Sequence, residues 1–259
     1  MILGYLGSLT AALAGWSTIM YVLYGRLKWW QNTFVFCLTF AARRLPGSIW
    51  YVGGRLAMYQ QLGVPESVVL IASSVELIVS IITGLLIGLC LLSLSGVYLP
   101  YQGVVIIIIG IIVGALVLHP SILKFILKRN NHLSLQTIKY KNILIWFLIY
   151  IVMWGLGGLM LDQLISVFTT IGANEHIIVI GTWAISGAAG LITFFLPSSF
   201  GVTELTITAL LSRILPLPFA GVIAILMRIF TTLCELLISL AFFPLLKNFQ
   251  ANSDHSKVT

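Results

Sequence analysis

The feature that most limits this chain is a succession of long stretches with almost no charge. Residues 2–24 contain no acid, lysine or arginine, and residues 67–94, 103–123, 143–161, 177–196 and 219–246 are nearly as apolar. A helix needs roughly 20 mostly apolar residues to cross a bilayer, so these six stretches read as membrane spans. Only 8% of the 259 residues are charged, against about 25% in soluble domains. That is too little to cover a surface facing water. A soluble enzyme, a disordered tail and a disulfide scaffold are all excluded. With the bilayer as partner, the net charge of +7 belongs to the basic loops that orient membrane proteins and calls for no nucleic acid. Cys37, Cys90 and Cys234 lie inside apolar segments and the four histidines are scattered, so no metal site or disulfide framework is expected.

Lysines and arginines set the orientation. Residues 124–141 hold Lys124, Lys128, Arg129, Lys139 and Lys141 without an acid, whereas 96–102 hold no charge and 162–176 hold two acids and no lysine or arginine. The positive-inside rule makes the first loop cytoplasmic and the other two external. Residues 2–24 lack the basic leader of a signal peptide, and are expected to be a retained span starting outside. Arg26 and Lys28 then lie inside, and so does Ser67. Residues 33–66 must therefore enter and leave on one side, as a re-entrant broken helix shielded by protein. Residues 197–213 carry Pro197, Ser198, Ser199, Gly201 and Glu204 and read as a second re-entrant segment, also from the cytoplasm. The expected fold is an all-α polytopic membrane protein of about six full spans plus two re-entrant segments. It forms one transmembrane domain over 1–247 with a short polar tail at 248–259.

The two interrupted segments follow one pattern. In the first, Pro46, Gly53, Gly54 and Arg55 precede a turn at Leu62-Gly63-Val64-Pro65 and a span carrying Glu76. In the second, Pro197, Gly201 and Glu204 precede Leu215-Pro216-Leu217-Pro218 and a span carrying Arg228. Corresponding interrupted segments in two halves point to an inverted pseudo-repeat and to a transporter site between them. A charge near the bilayer centre costs at least about 2.5–3.5 kcal/mol, so Glu76, Glu204, Arg228 and Glu235 must face protein or a watery cavity. Ser73, Glu76, Ser80 and Thr83 fall on one helical face, and Arg228 and Glu235 lie two turns apart along one face with Thr231 and Thr232 between them. Two roles fit these ions. They could be structural pairs, Arg55 with Glu204 and Glu76 with Arg228, or part of a ligand site. In the second role Arg43, Arg44 and Arg55 offer planar forks suited to phosphate oxygens, with Trp50 and Tyr51 walling a lipid headgroup. For Arg43 and Arg44 the plain alternative is a positive-inside anchor. Trp29, Trp30, Tyr140 and Trp146 read as interfacial belt residues, and Gly155, Gly157, Gly158, Gly187 and Gly190 as helix-packing positions. No hydrolase, metalloprotease, phosphate-loop or dinucleotide motif occurs, and no cofactor is called for.

The run Arg44-Leu45-Pro46-Gly47-Ser48-Ile49-Trp50-Tyr51-Val52-Gly53-Gly54-Arg55, with Gln61-Leu62-Gly63-Val64-Pro65 and Ala72-Ser73-Ser74-Val75-Glu76, resembles one hallmark of the lysylphosphatidylglycerol synthase transmembrane region family. The run Leu196-Pro197-Ser198-Ser199-Phe200-Gly201-Val202-Thr203-Glu204, followed by the span with Arg228, resembles its second hallmark, a proline–glycine–glutamate turn. The resemblance covers nearly the whole chain. It implies a flippase-like membrane domain that moves or accommodates lipids with polar headgroups, such as aminoacylated phospholipids or isoprenoid-linked glycans. The chain departs from the family in three ways. It starts at what resembles the second span, it lacks a soluble aminoacyltransferase domain, and it has serines at 198 and 199 where glycine is usual. Synthase activity is therefore not carried over. The leading expectation is a lipid flippase or headgroup transporter. The others are a membrane-embedded enzyme using Glu204 or Glu235, and a non-catalytic partner of a membrane glycosyltransferase or lipid-modifying enzyme.

Overall fold

The computed structural model describes residues 1–25, 27–40, 42, 49–96, 139–193 and 201–246. Every regular element among them is helical: α1 (Ile2–Leu23), α2 (Trp29–Phe40), α3 (Ile49–Gln61), α4 (Glu66–Leu94), α5 (Tyr140–Phe168), α6 (Ala173–Ile192), α7 (Val202–Leu211) and α8 (Leu217–Phe242), the last continued by a 3-10 turn, Phe243–Leu245. Five helices are long and apolar enough to cross a membrane: α1, α4, α5, α6, and α8 with its 3-10 turn. The chain is thus a multi-pass helical membrane protein. The span expected over 103–123 lies outside the described residues, as do most of the basic loop 124–141 and the tail. At 1.5 Å per residue, α2 (12 residues), α3 (13) and α7 (10) reach only about 15–20 Å. The sequence shows why α3 and α4 are separate: α3 closes with Gly63 at φ 72°, its N–H on Gln60 O, and with Val64 N–H on Tyr59 O. Pro65 then caps α4 at φ −59°, ψ 137°. Pro216 caps α8 with almost the same backbone, φ −56°, ψ 135°.

The contacts fix the direction of each helix. Ser8 Oγ donates to Met153 O at 3.0 Å and Gly15 lies against the Tyr150 ring, while Gly4 meets Met160, so α1 and α5 are antiparallel. Tyr24 Oη donates to Gly63 O, which puts the start of α4 at the face where α1 ends and α5 begins. Lys28, Lys139 and Lys141 lie on that face, here termed the lysine face. At the opposite face, Asp162 bonds His176 at 2.6 Å between α5 and α6, and the Phe168 and Phe219 rings meet at 6.1 Å. Therefore α8 starts opposite to α4 and runs against it. Its far end returns to the lysine face, where Phe242 packs on Phe34 and Ser239 Oγ donates to Cys37 O.

Two antiparallel halves result. In the first, α2 and α3 pack together and lead through Pro65 into α4. In the second, α6 and α7 pack together and lead through Pro216 into α8. The halves interlock, α4 on α6 and α8 on α2. The first crossing depends on Gly88 and Gly181: a β-carbon on Gly88 would stand 3.0 Å from Gly181 O and 2.5 Å from Ile185 Cγ1. Small residues here let two backbones meet without lipid between them. Gly84 lies level with Ala184 and Ala188. One turn further on, α6 ends level with the middle of α4. The sequence reading of 197–213 as re-entrant from the lysine face does not fit this geometry. The described part, α7, runs from beside Gly190 to Leu211, which clusters with Leu164 and Ile165 at the opposite face. Among the expected packing glycines, Gly157, Gly158 and Gly187 abut Trp183, Ile180 and Trp154, whereas Gly155 faces open space. Trp29, Trp30 and Tyr140 are exposed as belt residues would be, but Trp146 is 1% exposed and belongs to the core, because that face of α5 packs on α1 and α4.

Candidate functional site

Each Pro-capped hairpin carries one ion pair, and both come from residues nearly equidistant from the turn. Arg55 and Glu76 lie ten residues before and eleven after Pro65; Glu204 and Arg228 lie twelve on either side of Pro216. Side chains at matching distances from a helical hairpin's bend face each other. Accordingly Arg55 Nη1 donates to Glu76 Oε2 at 2.5 Å and Nη2 to Oε1 at 3.4 Å, while Arg228 Nη1 meets Glu204 Oε1 at 2.9 Å. This corrects the crosswise pairing expected from the swapped charges. The partners come from the same half, because the local hairpin brings them together. Glu76 is ten residues into α4 and Arg228 eleven into α8, roughly 15–17 Å along each helix. Both pairs therefore sit well inside the long helices, more than two turns from either end.

Arg55 is fully buried. Its guanidinium carbon lies 3.6 Å from the Trp16 ring centroid, 4.1 Å from Tyr51 and 5.5 Å from Phe36. Below this cage Trp16 Nε1 donates to Tyr59 Oη at 2.7 Å, and Tyr59 Oη donates to Asn32 Oδ1 at 2.8 Å. The chain of bonds ties α1, α2 and α3 together around the cation. Such contacts suit a charge held in a dry place, since aromatic faces attract a guanidinium more strongly once it is desolvated.

A cavity of about 430 Å³ lies between the halves, and each of the eight helices contributes to its wall. Much of its polar lining comes from the stripes read in the sequence, Ser73, Glu76 and Ser80 on α4 and Arg228, Thr231 and Glu235 on α8, joined by Glu204 and Thr203 on α7, Ser8 on α1 and Ser74 on α4. The remaining member, Thr83, is buried and returns its hydroxyl to Val79 O and Ser80 O. Leu70, Leu77 and Met227 make the rest of the wall apolar.

The structure thus brings Glu76, Glu204, Arg228 and Glu235 to one cavity. It places Arg55 elsewhere, behind Glu76 and not among the cavity-lining side chains. Trp50 and Tyr51 separate: Tyr51 is 4% exposed, stacked on Arg55 and at the cavity wall, whereas Trp50 is 60% exposed. Successive helical residues point about 100° apart, so one cannot join the other at a single wall. Arg43 and Arg44 lie outside the described residues. The sequence reading missed Trp16, Asn32 and Tyr59, which support the Arg55 cage. Asn32 was the available signal, a primary amide inside an apolar helix that has to find a partner. No group of three or more potential metal ligands occurs among the described residues.

Comparison with protein-family models, curated proteins and solved structures found no match. The fold and cavity by themselves define a class: a multi-pass helical membrane protein with two antiparallel halves and an ion-lined cavity between them.

Proposed function

We propose that this protein is a lipid flippase or lipid-headgroup transporter of the cell membrane, acting on a lipid with an anionic or polar headgroup. The observation that carries the reading is the cavity between the two antiparallel halves, lined by Glu76, Glu204, Arg228 and Glu235. Intramembrane ions facing a cavity mark substrate paths, and a site at the junction of inverted repeats is the usual arrangement in secondary transporters. The volume decides what part of a lipid enters. About 430 Å³ falls within the range of pockets for small ligands, roughly 300–1,000 Å³. It suits a headgroup and leaves the acyl chains in the bilayer. The resemblance to the lysylphosphatidylglycerol synthase transmembrane region supports the same reading.

In this reading the lysine face is cytoplasmic, since it bears Lys28, Lys139 and Lys141, and Asp162 and Glu175 lie on the external face. The helices α2 and α3 dip into the membrane from the cytoplasm; α6 and α7 dip in from outside. The C-terminal end of α8 is then cytoplasmic, and the inverted halves give each face one hairpin able to rock about the central site.

The test is a scrambling assay in proteoliposomes with fluorescent analogues of phosphatidylglycerol and phosphatidylethanolamine, quenched from outside. Quenching beyond the outer-leaflet half, faster than in protein-free vesicles and slowed by Arg228→Gln, supports the reading. Quenching no faster than in protein-free vesicles refutes it and leaves a non-catalytic partner of a membrane glycosyltransferase or lipid-modifying enzyme.

A further inference from the structure

The two ion pairs occupy matching places in their hairpins but differ in what can reach them. Arg55 and Glu76 have side chains 0% and 8% exposed, and the guanidinium is enclosed by the Trp16 and Tyr51 rings. Arg228 and Glu204 are 27% and 20% exposed, and both line the cavity. A ligand in the cavity therefore meets a guanidinium and a carboxylate side by side, 2.9 Å apart. A ligand that draws off one partner leaves the other without its counter-charge, on a wall that Leu70, Leu77 and Met227 make partly apolar. An anion on Arg228 would orphan Glu204, and it would also face the Glu76 and Glu235 carboxylates of the same cavity. A cation on Glu204 would orphan Arg228. A ligand that carries both charges close together, with neither in excess, leaves each member of the pair an opposite neighbour.

We propose that Glu204 and Arg228 form a subsite for a zwitterionic headgroup, a phosphodiester and a primary ammonium joined by a short linker; this rests on the reading above that the cavity is the substrate site. The phosphate oxygens accept from the Arg228 guanidinium, whose planar fork of N–H donors matches them. The ammonium donates to the Glu204 carboxylate. The four charges alternate in sign, and the net charge of the cavity is the same with the ligand as without it. That equality matters in a low-dielectric site, where added net charge is expensive. A primary ammonium brings three N–H donors to the carboxylate, whereas a quaternary one brings the charge without them. Arg55, enclosed in its cage, stays with Glu76 and out of the ligand's reach.

Native mass spectrometry of the full-length protein in detergent tests this with four lipids of identical chains. They are phosphatidylethanolamine, its quaternary counterpart phosphatidylcholine, the anionic phosphatidylglycerol, and a cationic trimethylammonium-propane lipid without phosphate. A hydrogen bond to a charged acceptor corresponds to about a ten-fold preference, so wild type should retain phosphatidylethanolamine about ten-fold over each of the others. Glu204→Gln leaves Arg228 in excess and should move first place to phosphatidylglycerol. Arg228→Gln leaves the carboxylates in excess and should move it to the cationic lipid. Phosphatidylethanolamine ranking no higher than the rest in wild type overturns the proposal, and so does an order that either substitution leaves unchanged. Lys139→Gln removes a positive charge as Arg228→Gln does, but at the lysine face, and should keep the wild-type order; the same reordering there overturns the subsite. Should a single variant fail to fold, the double variant Glu204→Gln with Arg228→Gln orphans no charge and should lose the preference, and phosphatidylethanolamine still first in it overturns the proposal. Glycerophosphoethanolamine, the same headgroup without acyl chains, separates the two readings. If it competes as well as the whole lipid, the subsite stands and the lipid-transport reading falls; scrambling in vesicles without any headgroup preference keeps the transporter and overturns the subsite.

Discussion

The buried pair on α3 and α4 gives the sharpest test of how this fold is held together. In Glu76→Gln the Arg55 guanidinium stays fully buried but loses its counter-charge. Removing one partner of a buried pair costs about 3–5 kcal/mol. The Trp16 and Tyr51 rings at 3.6 and 4.1 Å remain and still favour the cation, so the expected loss is near the lower bound, about 3 kcal/mol. Arg55→Met removes the cage contacts as well as the pair, and should cost about 4–5 kcal/mol. In the double variant Arg55→Met with Glu76→Leu no orphaned charge remains, so the loss should fall short of the sum by about 2–3 kcal/mol. The Glu204–Arg228 pair is partly exposed to the cavity, and Glu204→Gln should cost nearer 1 kcal/mol. Unfolding titrations in mixed micelles, followed by tryptophan fluorescence, give all four values, with Trp16 reporting directly on the cage. Additivity within about 0.5 kcal/mol for the Arg55–Glu76 cycle would refute the contact, and equal losses for Glu76→Gln and Glu204→Gln would refute the contrast between dry and accessible pairs.

Three further outcomes follow from the packing. Gly88→Ala should destabilise by about 1–3 kcal/mol through the clash with Gly181 O and Ile185; Gly155→Ala, which meets nothing within 4 Å, should be neutral or stabilise by up to about 1 kcal/mol. Thermal unfolding of the two variants side by side checks this. Tyr59→Phe leaves Asn32 Oδ1 and Trp16 Nε1 without their 2.8 and 2.7 Å bonds and should lose about 1–3 kcal/mol; a shift of that size in the same titration is expected. Finally, with the native cysteines replaced, Lys139→Cys should react only with reagents that reach the cytoplasm, while Thr170→Cys and Ser212→Cys should react from outside intact cells. Labelling of Ser212→Cys from the cytoplasmic side would break the inverted arrangement.

Much of the architecture was legible in the chain because a bilayer allows few solutions. Long runs without charge must be helices, since no other single segment satisfies its own backbone in hydrocarbon. The breaks at Gly63–Pro65 and Pro216 follow from what glycine and proline do to a helix, and the stripes on α4 and α8 from the 3.6-residue repeat. The residues of the cavity wall, Glu76, Glu204, Arg228 and Glu235, stood out because charges in apolar segments are expensive. What the sequence left open was who meets whom. Swapped signs in two matching segments are equally consistent with pairing across the halves or within them. Only the hairpins, folding residues at equal distance from each proline onto one another, decided for Arg55 with Glu76 and Glu204 with Arg228. The end of the bundle to which α7 runs was also beyond a count of lysines, because Arg213 and a few serines carry too little charge to choose a face. The stacking of Phe168 on Phe219 and the glycine crossing of α4 on α6 settle which ends lie together. Composition fixes the solvent and local chemistry fixes the breaks, but the choice of partner is a property of packing, which exists only once the helices have met.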